Sequence, residues 1–566
     1  MLPPVAERQS ALEHRHPQWI PRRLDEQLDA AAAEFGDRPY VVTDDRTWTY
    51  AQMRDWSIQV ARGLVSAGVE PGEHVAMVMA NHPEFVAVRF GIARAGAVCV
   101  PINFLNRRDE LGYVLRQSQA VLLVTMDRFR GLDYLDALDD LAPGWEQGGG
   151  GTALPMLRQV IVFPTSPDGG RDGAQTLTGL TGDDGEFQPV TGVAPDATAD
   201  ILYTSGTTGE PKGVLLTHDM LLRTAYGSAF GRAFQNGRRI TLSLPMYHVY
   251  GYVEGMLAVL FVGGAIIPQL SFNARATLDA ITTHRADDAL FIPTMTLAVL
   301  DELEREPHEL APLTSLISSG GASPTGIWDR IDAMFGPVEL TTGYGMSETT
   351  ASTTVTRPDD PRERLLSTNG RLRDVGVAGD PDLGGRLAVY RVVDQVTGAP
   401  LPDGQVGELH VRGIGVTSGY WNKPEETAAV IDSEGWLHTG DLGRLDDDYL
   451  TLVGRAKDCY RCGGEQVMPK EIEDVLTSHP AVEQAHVVPL PDPRMGEVGV
   501  AWIVLRPGRT VEADELIAYS SERLARFKVP RHVLTISLAD VPTTPSGRPR
   551  KFLLAERAAE LLQVTS

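Results

Sequence analysis

The stretch YTSGTTGEPKG, residues 203–213, sets glycines and the hydroxyls of Thr204, Ser205, Thr207 and Thr208 beside one lysine, Lys212. Backbone amides and hydroxyls in such a loop form a nest for phosphate oxygens, and Lys212 adds a compact positive point. The spacing is not that of a Walker A loop, which needs Gly, four residues, then Gly-Lys-Ser/Thr. Further along, TTGYGMSET (341–349) places Tyr344 and Glu348 around a glycine. An aromatic ring suits a flat base, and a carboxylate suits Mg²⁺, which takes hard oxygen ligands. GWLHTGDLG (435–443) puts Asp441 in a glycine turn, where a carboxylate can accept both hydroxyls of a ribose, and GRAKD (454–458) offers Arg455 beside it. Each stretch alone also reads as an ordinary turn.

Positioning these groups takes a layered scaffold. From about residue 41 to 123, amphipathic helical patterns alternate with short apolar runs. AQMRDWSIQVARGLVSAG (51–68) has helical spacing and a glycine stop signal. HVAMVMA (74–80) and AVCVPIN (97–103) read as buried strands. The alternation predicts an α/β domain. Residues 143–196 are rich in Gly, Asp and Thr and read as surface loop. A β-rich stretch follows near 385–455. From Lys457 onward a helix at PKEIEDVLTSH, strands at VEQAHVVPL and GVAWIVL, and a helix at EADELIAYSSERL predict a small α+β domain.

The chain of 566 residues is too long for one core. Its net charge of -24 argues against a nucleic-acid surface. The N-terminus lacks the apolar region of a secretory signal, and the longest apolar run, 257–270, is broken by Gly263, Gly264 and Pro268. It is shorter than the ~20 residues of a membrane span and reads as a core helix running into a strand. The expectation is a cytoplasmic protein without a membrane span. Three cysteines, Cys99, Cys459 and Cys462, fit a reducing compartment. Cys459 and Cys462 form a CxxC, but no second Cys/His pair lies nearby. Only six lysines occur (Lys212, Lys423, Lys457, Lys470, Lys528 and Lys551) against a background of arginine. A lysine that persists in such a chain points to a need for an ammonium rather than a guanidinium fork.

Together, in this order, YTSGTTGEPKGV, YGMSET, GELHVRG, GYWNKPE, GWLHTGD, GRAKD and GGEQVMPKEIE resemble the adenylate-forming superfamily of acyl- and aryl-CoA ligases, adenylation domains and luciferases, most closely its acyl-CoA synthetase-like members. The resemblance implies an α/β fold: a large multi-subdomain N-terminal adenylating domain (1–456) and a small mobile α+β C-terminal domain (457–566), hinged near Lys457. It implies ATP, Mg²⁺ and CoA. Carried over by motif, Thr204, Ser205, Thr207, Thr208 and Lys212 hold the β- and γ-phosphates. Glu348 holds Mg²⁺ and Ser347 the α-phosphate. Gly321, Ala322 and Tyr344 line the adenine, and Asp441 and Arg455 bind the ribose. RCGGEQV (461–467) matches the segment lining a pantetheine tunnel, where Gly463 and Gly464 allow close approach. This alignment leaves the CxxC without a metal.

LPMYHVYGYVEG (244–255) matches the segment that gates and lines the acid pocket, with His248 at the gate or as a core histidine. Tyr247, Tyr250 and Tyr252 suit a flat or medium-sized substrate, though some of them must simply pack; SSGGAS (318–323), with Gly320, forms the pocket floor, and Gly343 belongs to the pocket. Glu254 is unexpected there: it either pairs with an amine or faces solvent. The C-terminal turn TPSGRPRKF departs from the family pattern, with Arg548 in the usual lysine place and Lys551 three residues on. Arg548 does the lysine's work, or Lys551 reaches in, or the chemistry is altered.

The expected function is therefore adenylation of a small aromatic or medium-chain carboxylic acid and its transfer to CoA. The alternative is a diazotase that activates nitrite toward an aromatic amine. A carrier-protein-loading ligase and an inactive binder stand behind these. The sequence leaves open the acid, the pathway and the oligomeric state, a dimer among the options.

Overall fold

Strand His74–Val78 is buried at every residue, as a strand covered on both faces must be. It pairs in parallel with Val98–Pro101 on one side and Leu122–Met126 on the other. Helix Tyr50–Ser66 packs against helices Pro83–Arg94 and Leu24–Phe35; the Thr49 side chain caps it by accepting from the Gln52 amide, and Gly68 beyond its end takes φ 79°. The computed structural model describes residues 2–180, 190–204, 210–310, 312–320, 326–543 and 549–562.

Among these residues the chain forms three seven-stranded sheets and one five-stranded sheet. The first two are mainly parallel with antiparallel edges, and helices cross between their strands. One of them ends in the hairpin Thr198–Thr204 and Lys212–Thr217. The third sheet is antiparallel and carries Gly343–Met346, Ala351–Val355, Leu437–Asp446 and Tyr449–Arg455. One continuous apolar core fills the first two sheets. From Tyr460 onward the chain packs a core of its own, with Trp502, Ile472 and Leu554 buried together.

Two sequence expectations need correction. Residues 143–196 are not only loop: Gln159–Phe163 is a strand in parallel register with Leu122–Met126. Its short VIVF run is enough to occupy a sheet position inside glycine-rich flanks. The run from 257 to 270 does enter strand Ala265–Pro268, but its helical part is irregular. Tyr252–Leu257 is π-helix and Ala258–Val262 is 3₁₀, ending at Gly263 in the left-handed region. No helix among the described residues is long and apolar enough to cross a membrane.

Candidate active site

The hairpin ends supply the first two groups. Thr204 closes one strand, Lys212 opens the next, and the two are register partners at the edge of the sheet. The Lys212 ammonium lies 5.1 Å from the centroid of the Tyr420 ring. The Tyr420 hydroxyl donates to Glu348 Oε1 at 3.0 Å. Ser347 and Glu348 sit on a single 3₁₀ turn, Ser347–Thr349, which leaves the end of strand Gly343–Met346.

That turn is held under strain. Thr350 takes φ 63° and Ala351 φ 121°, both rare for residues with a side chain, and such positions cost on the order of 1–3 kcal/mol each. The Thr349 hydroxyl bridges the carbonyls of Met346 and Ala351, and the Thr350 hydroxyl donates to Gly415 O at 2.8 Å. Gly345 is obligatory here, because a Cβ would stand 1.8 Å from Ala351 O. Burial raises the Glu348 carboxyl above the usual carboxylate range; the Tyr420 hydrogen bond and nearby Arg455 oppose that shift.

Across the cleft, Asp441 and Arg455 are register partners on adjacent strands. Arg455 Nε is 3.0 Å from Asp441 Oδ1, and the Tyr344 hydroxyl donates to Asp441 Oδ2 at 2.7 Å. Asp441 is 1% exposed, yet its Oδ1 makes no hydrogen bond among the described residues. A buried carboxylate oxygen in that state has capacity for a ligand hydroxyl. Behind it the rings of His410 and His438 stack at 3.9 Å and 11°. Their nitrogens and Glu408 lie close together. Parallel rings direct their lone pairs side by side rather than at one point, and Arg391 Nη2 stands 3.5 Å from His410 Nδ1. His410 and His438 are register partners on adjacent strands of this sheet.

The structure thus brings Lys212, Glu348, Tyr344, Asp441 and Arg455 together: Tyr420 meets both Lys212 and Glu348, Tyr344 and Arg455 hold Asp441, and the charges of Asp441 and Arg455 act on Glu348. Its oxygen donors, the Glu348 carboxylate and the hydroxyl-bearing turns, suit Mg²⁺ and phosphate chemistry. Ser205, Thr207, Thr208, Gly321, Ala322 and Arg548 lie outside the described residues. Tyr420 and Thr417 were missed as site residues, although Tyr420 belongs to the GYWNKPE motif.

On the acid side, the Tyr247 ring meets Phe104 edge-on at 5.2 Å, and its hydroxyl is buried without a hydrogen bond among the described residues. His248 is half-buried and starts a short helix, its Nδ1 accepting from the Tyr250 amide at 3.3 Å. Tyr250 donates to Phe291 O at 3.0 Å and borders Gly320, whose φ is 87°. Gly343 is pinned through the Ser319 hydroxyl, which donates to its carbonyl at 2.7 Å.

One expectation is corrected, and the remaining candidates are placed. Glu254 faces neither solvent nor an amine: it is 0% exposed, accepts from Arg373 Nη2 at 3.2 Å on both oxygens, and accepts from the Ser352 amide at 3.2 Å. Arg373 holds its carboxyl below the usual range in spite of burial. Tyr252 is a core residue, fully buried, donating to Asp200 at 3.2 Å under the Arg89 guanidinium. Lys551 opens helix Lys551–Leu561, and its ammonium is 2.6 Å from Glu473 Oε1 on helix Pro469–Thr477. Lys457 is exposed in the one-turn helix Ala456–Asp458. Gly464 takes φ 91° in an exposed turn with open space around its Cα. None of the three cysteines forms a disulfide.

Comparison with known proteins places this geometry. A model of the AMP-binding enzyme family matches residues 28–421, and one of the AMP-binding enzyme C-terminal domain matches 471–548. The mitochondrial medium-chain acyl-CoA ligase ACSF2 of Danio rerio is 32% identical over 555 residues, covering 95% of this chain and 89% of its own. Feruloyl-CoA synthase of an Amycolatopsis species is 32% identical over 503 residues, covering 88% of this chain and 92% of its own. The crystal structure of ATP-bound MatB from Rhodopseudomonas palustris superposes with a TM-score of 0.82 at 26% identity, covering 95% of this chain and 99% of that one.

Proposed function

The chain belongs to the AMP-binding enzyme family, and from that membership we propose how its own residues run the two half-reactions. It is an AMP-forming ligase of the acyl-CoA synthetase kind, with ATP, a carboxylic acid and CoA as substrates. In the first half-reaction a carboxylate oxygen attacks the α-phosphorus, the bond to the β-phosphate bridging oxygen breaks, and pyrophosphate leaves with the electron pair. In the second, the CoA sulfur attacks the acyl carbon, the acyl–oxygen bond breaks, and AMP leaves while the thiol proton passes to solvent.

The roles follow from the cleft. Thr204 and Lys212 hold the leaving phosphates, where positioning and charge neutralisation provide most of the catalysis. Glu348 is the residue to hold Mg²⁺, with Ser347 beside it. When bound, the ion neutralises phosphate charge. Asp441 accepts the ribose hydroxyls, kept in place by Tyr344 and Arg455. The single observation that carries this reading is Asp441 itself: a buried carboxylate held by Tyr344 at one oxygen and paired with Arg455 at the other, close enough to Glu348 for their charges to act on each other. Residues from about 457 onward form the mobile domain, with Lys457 at its hinge and Gly463–Gly464 lining the pantetheine path.

We assign the acid to the small aromatic or medium-chain class. Tyr247, Phe104 and Tyr250 form an aromatic wall of that scale, and the two CoA ligases named above are designated for medium-chain and feruloyl substrates. The nitrite alternative has lost its motivating residue, since the Glu254 charge is taken by Arg373. The test is AMP and pyrophosphate release with acid panels plus CoA, run beside aminoaryl acids plus nitrite. Acid-dependent release that continues to CoA thioester is expected. Release that needs nitrite and not CoA would overturn the assignment.

A further inference from the structure

Residues 417–421 cross the back of the phosphate hairpin and the Glu348 turn, and they are bonded to both. The Thr417 amide donates to Glu348 O at 2.8 Å, and its hydroxyl donates to Leu215 O at 2.7 Å. The Leu215 amide donates to Gly419 O at 3.1 Å, and the Trp421 amide donates to Gly213 O at 2.8 Å. Tyr420 bridges to Val214, and its own amide donates to the Thr427 hydroxyl at 3.0 Å. The Tyr420 side chain therefore starts from a fixed backbone and reaches two charged groups on different elements. Its ring faces the Lys212 ammonium, and its hydroxyl takes Glu348 Oε1.

The arrangement solves a charge problem. An ammonium and a carboxylate converging on one partly buried cleft attract strongly, and a direct ion pair would occupy both groups. No ion pair joins Lys212 to Glu348 among the described residues; each meets Tyr420 instead, the ammonium at the ring and the carboxylate at the hydroxyl. A ring face attracts the cation without neutralising it. A phenol donates one hydrogen bond to the carboxylate and leaves its second oxygen to other partners.

We propose that Tyr420 is a positioning residue for adenylation: a spacer that keeps the phosphate-binding lysine and the metal-binding glutamate apart and oriented. This rests on the reading of Lys212 and Glu348 given above. The two halves of the side chain have separable tasks. The ring serves phosphate binding through Lys212. The hydroxyl serves Mg²⁺ binding through Glu348.

The test is equilibrium binding of ATP, measured by calorimetry with excess Mg²⁺ and with EDTA, on the full-length protein. Tyr420→Phe keeps the ring. It should leave the Mg²⁺-free ATP affinity within roughly two-fold and weaken MgATP binding by roughly ten-fold, the size of one charge-assisted hydrogen bond. Tyr420→Leu removes both tasks and should weaken ATP binding in either condition by on the order of ten-fold or more. Steady-state kinetics should follow, with a raised half-saturating Mg²⁺ concentration for Tyr420→Phe. Wild-type affinities in both variants, or a Tyr420→Phe protein with an unchanged ratio of MgATP to ATP affinity, would overturn the proposal. Lys212→Ala and Glu348→Gln measured in parallel separate the two levels. If they too leave both affinities unchanged, the reading of the cleft fails. If they weaken binding while Tyr420 variants do not, only the spacer role fails. Should Tyr420→Leu fail to fold, the affinity ratio of Tyr420→Phe decides alone.

Discussion

Tyr344 and Asp441, on strands of the same antiparallel sheet, are joined by a hydrogen bond of 2.7 Å that fixes one oxygen of a carboxylate only 1% exposed. The other oxygen is paired with Arg455 Nε at 3.0 Å and keeps acceptor capacity for a ligand hydroxyl. Asp441→Asn replaces an acceptor with a donor and should raise the KM for ATP by roughly 10–100-fold, from charged hydrogen bonds of about 1.5–3 kcal/mol each. Tyr344→Phe keeps the carboxylate but frees its orientation and should cost less. The ATP dependence of pyrophosphate exchange measures both. An Asp441→Asn enzyme with an unchanged KM would remove the ribose assignment.

Glu254 and Arg373 should behave as a structural pair. Both are fully buried, and removing one partner leaves a buried charge that costs about 3–5 kcal/mol. Glu254→Gln is expected to lower the urea midpoint sharply. The double replacement Glu254→Leu with Arg373→Met should recover much of the loss. Acid preference, read from a substrate panel, should not move toward amines in Glu254→Gln; a gain of amine-bearing substrates would return Glu254 to the pocket.

His218 sets an acid limit on stability. It is 1% exposed, and its Nδ1 accepts from the Leu24 amide at 3.3 Å, so the folded protein holds it neutral. Burial first, then Arg89 and Arg23, push its pKa down to about 3. The unfolded chain binds a proton near the ordinary value of about 6.5 while the folded chain does not, so stability is fully present above that value and falls as pH drops toward 3. His218→Asn should flatten the fall by up to roughly 1.4 kcal/mol per pH unit between about pH 6 and 4. Denaturant titrations at each pH test it, and parallel wild-type and variant curves would reject the assignment.

Lys551 is expected to support the C-terminal core, not adenylation. Its ammonium binds Glu473, whose Oε1 also accepts from the Val487 amide at 2.8 Å. Lys551→Ala should cost about 1 kcal/mol of stability and leave acid-dependent pyrophosphate exchange within about two-fold. Arg548→Ala should lower that exchange by at least about ten-fold if arginine replaces the family lysine. The opposite pattern, with exchange lost only in Lys551→Ala, would assign the work to Lys551.

What the sequence made legible is what backbone geometry demands locally. The GYGMSET stretch was readable because Gly345 has no room for a Cβ and the Glu348 turn tolerates few alternatives. Asp441 and Arg455 were readable because a hairpin makes them register partners at short separation. Tyr420 was quoted within its motif but not understood, since its role depends on partners as distant in the chain as Glu348, 72 positions away. Glu254 was misread for the same reason: Arg373 lies 119 positions on, and no local pattern announces a buried partner. Strand Gln159–Phe163 was lost among glycines and aspartates because its apolar run is short and its pairing is set by Leu122–Met126.

The Glu254–Arg373 bond also divides the acid-binding segment for protein engineering. Tyr252 and Glu254 are fastened to Asp200 and to Arg373. Earlier in the same segment, Tyr247 meets Phe104 edge-on, and His248 accepts from the Tyr250 amide. A library aimed at new acids should therefore randomise 247, 248 and 320 and keep 252 and 254 fixed. The fraction of folded clones, scored before any activity screen, should drop steeply once the last two positions are opened.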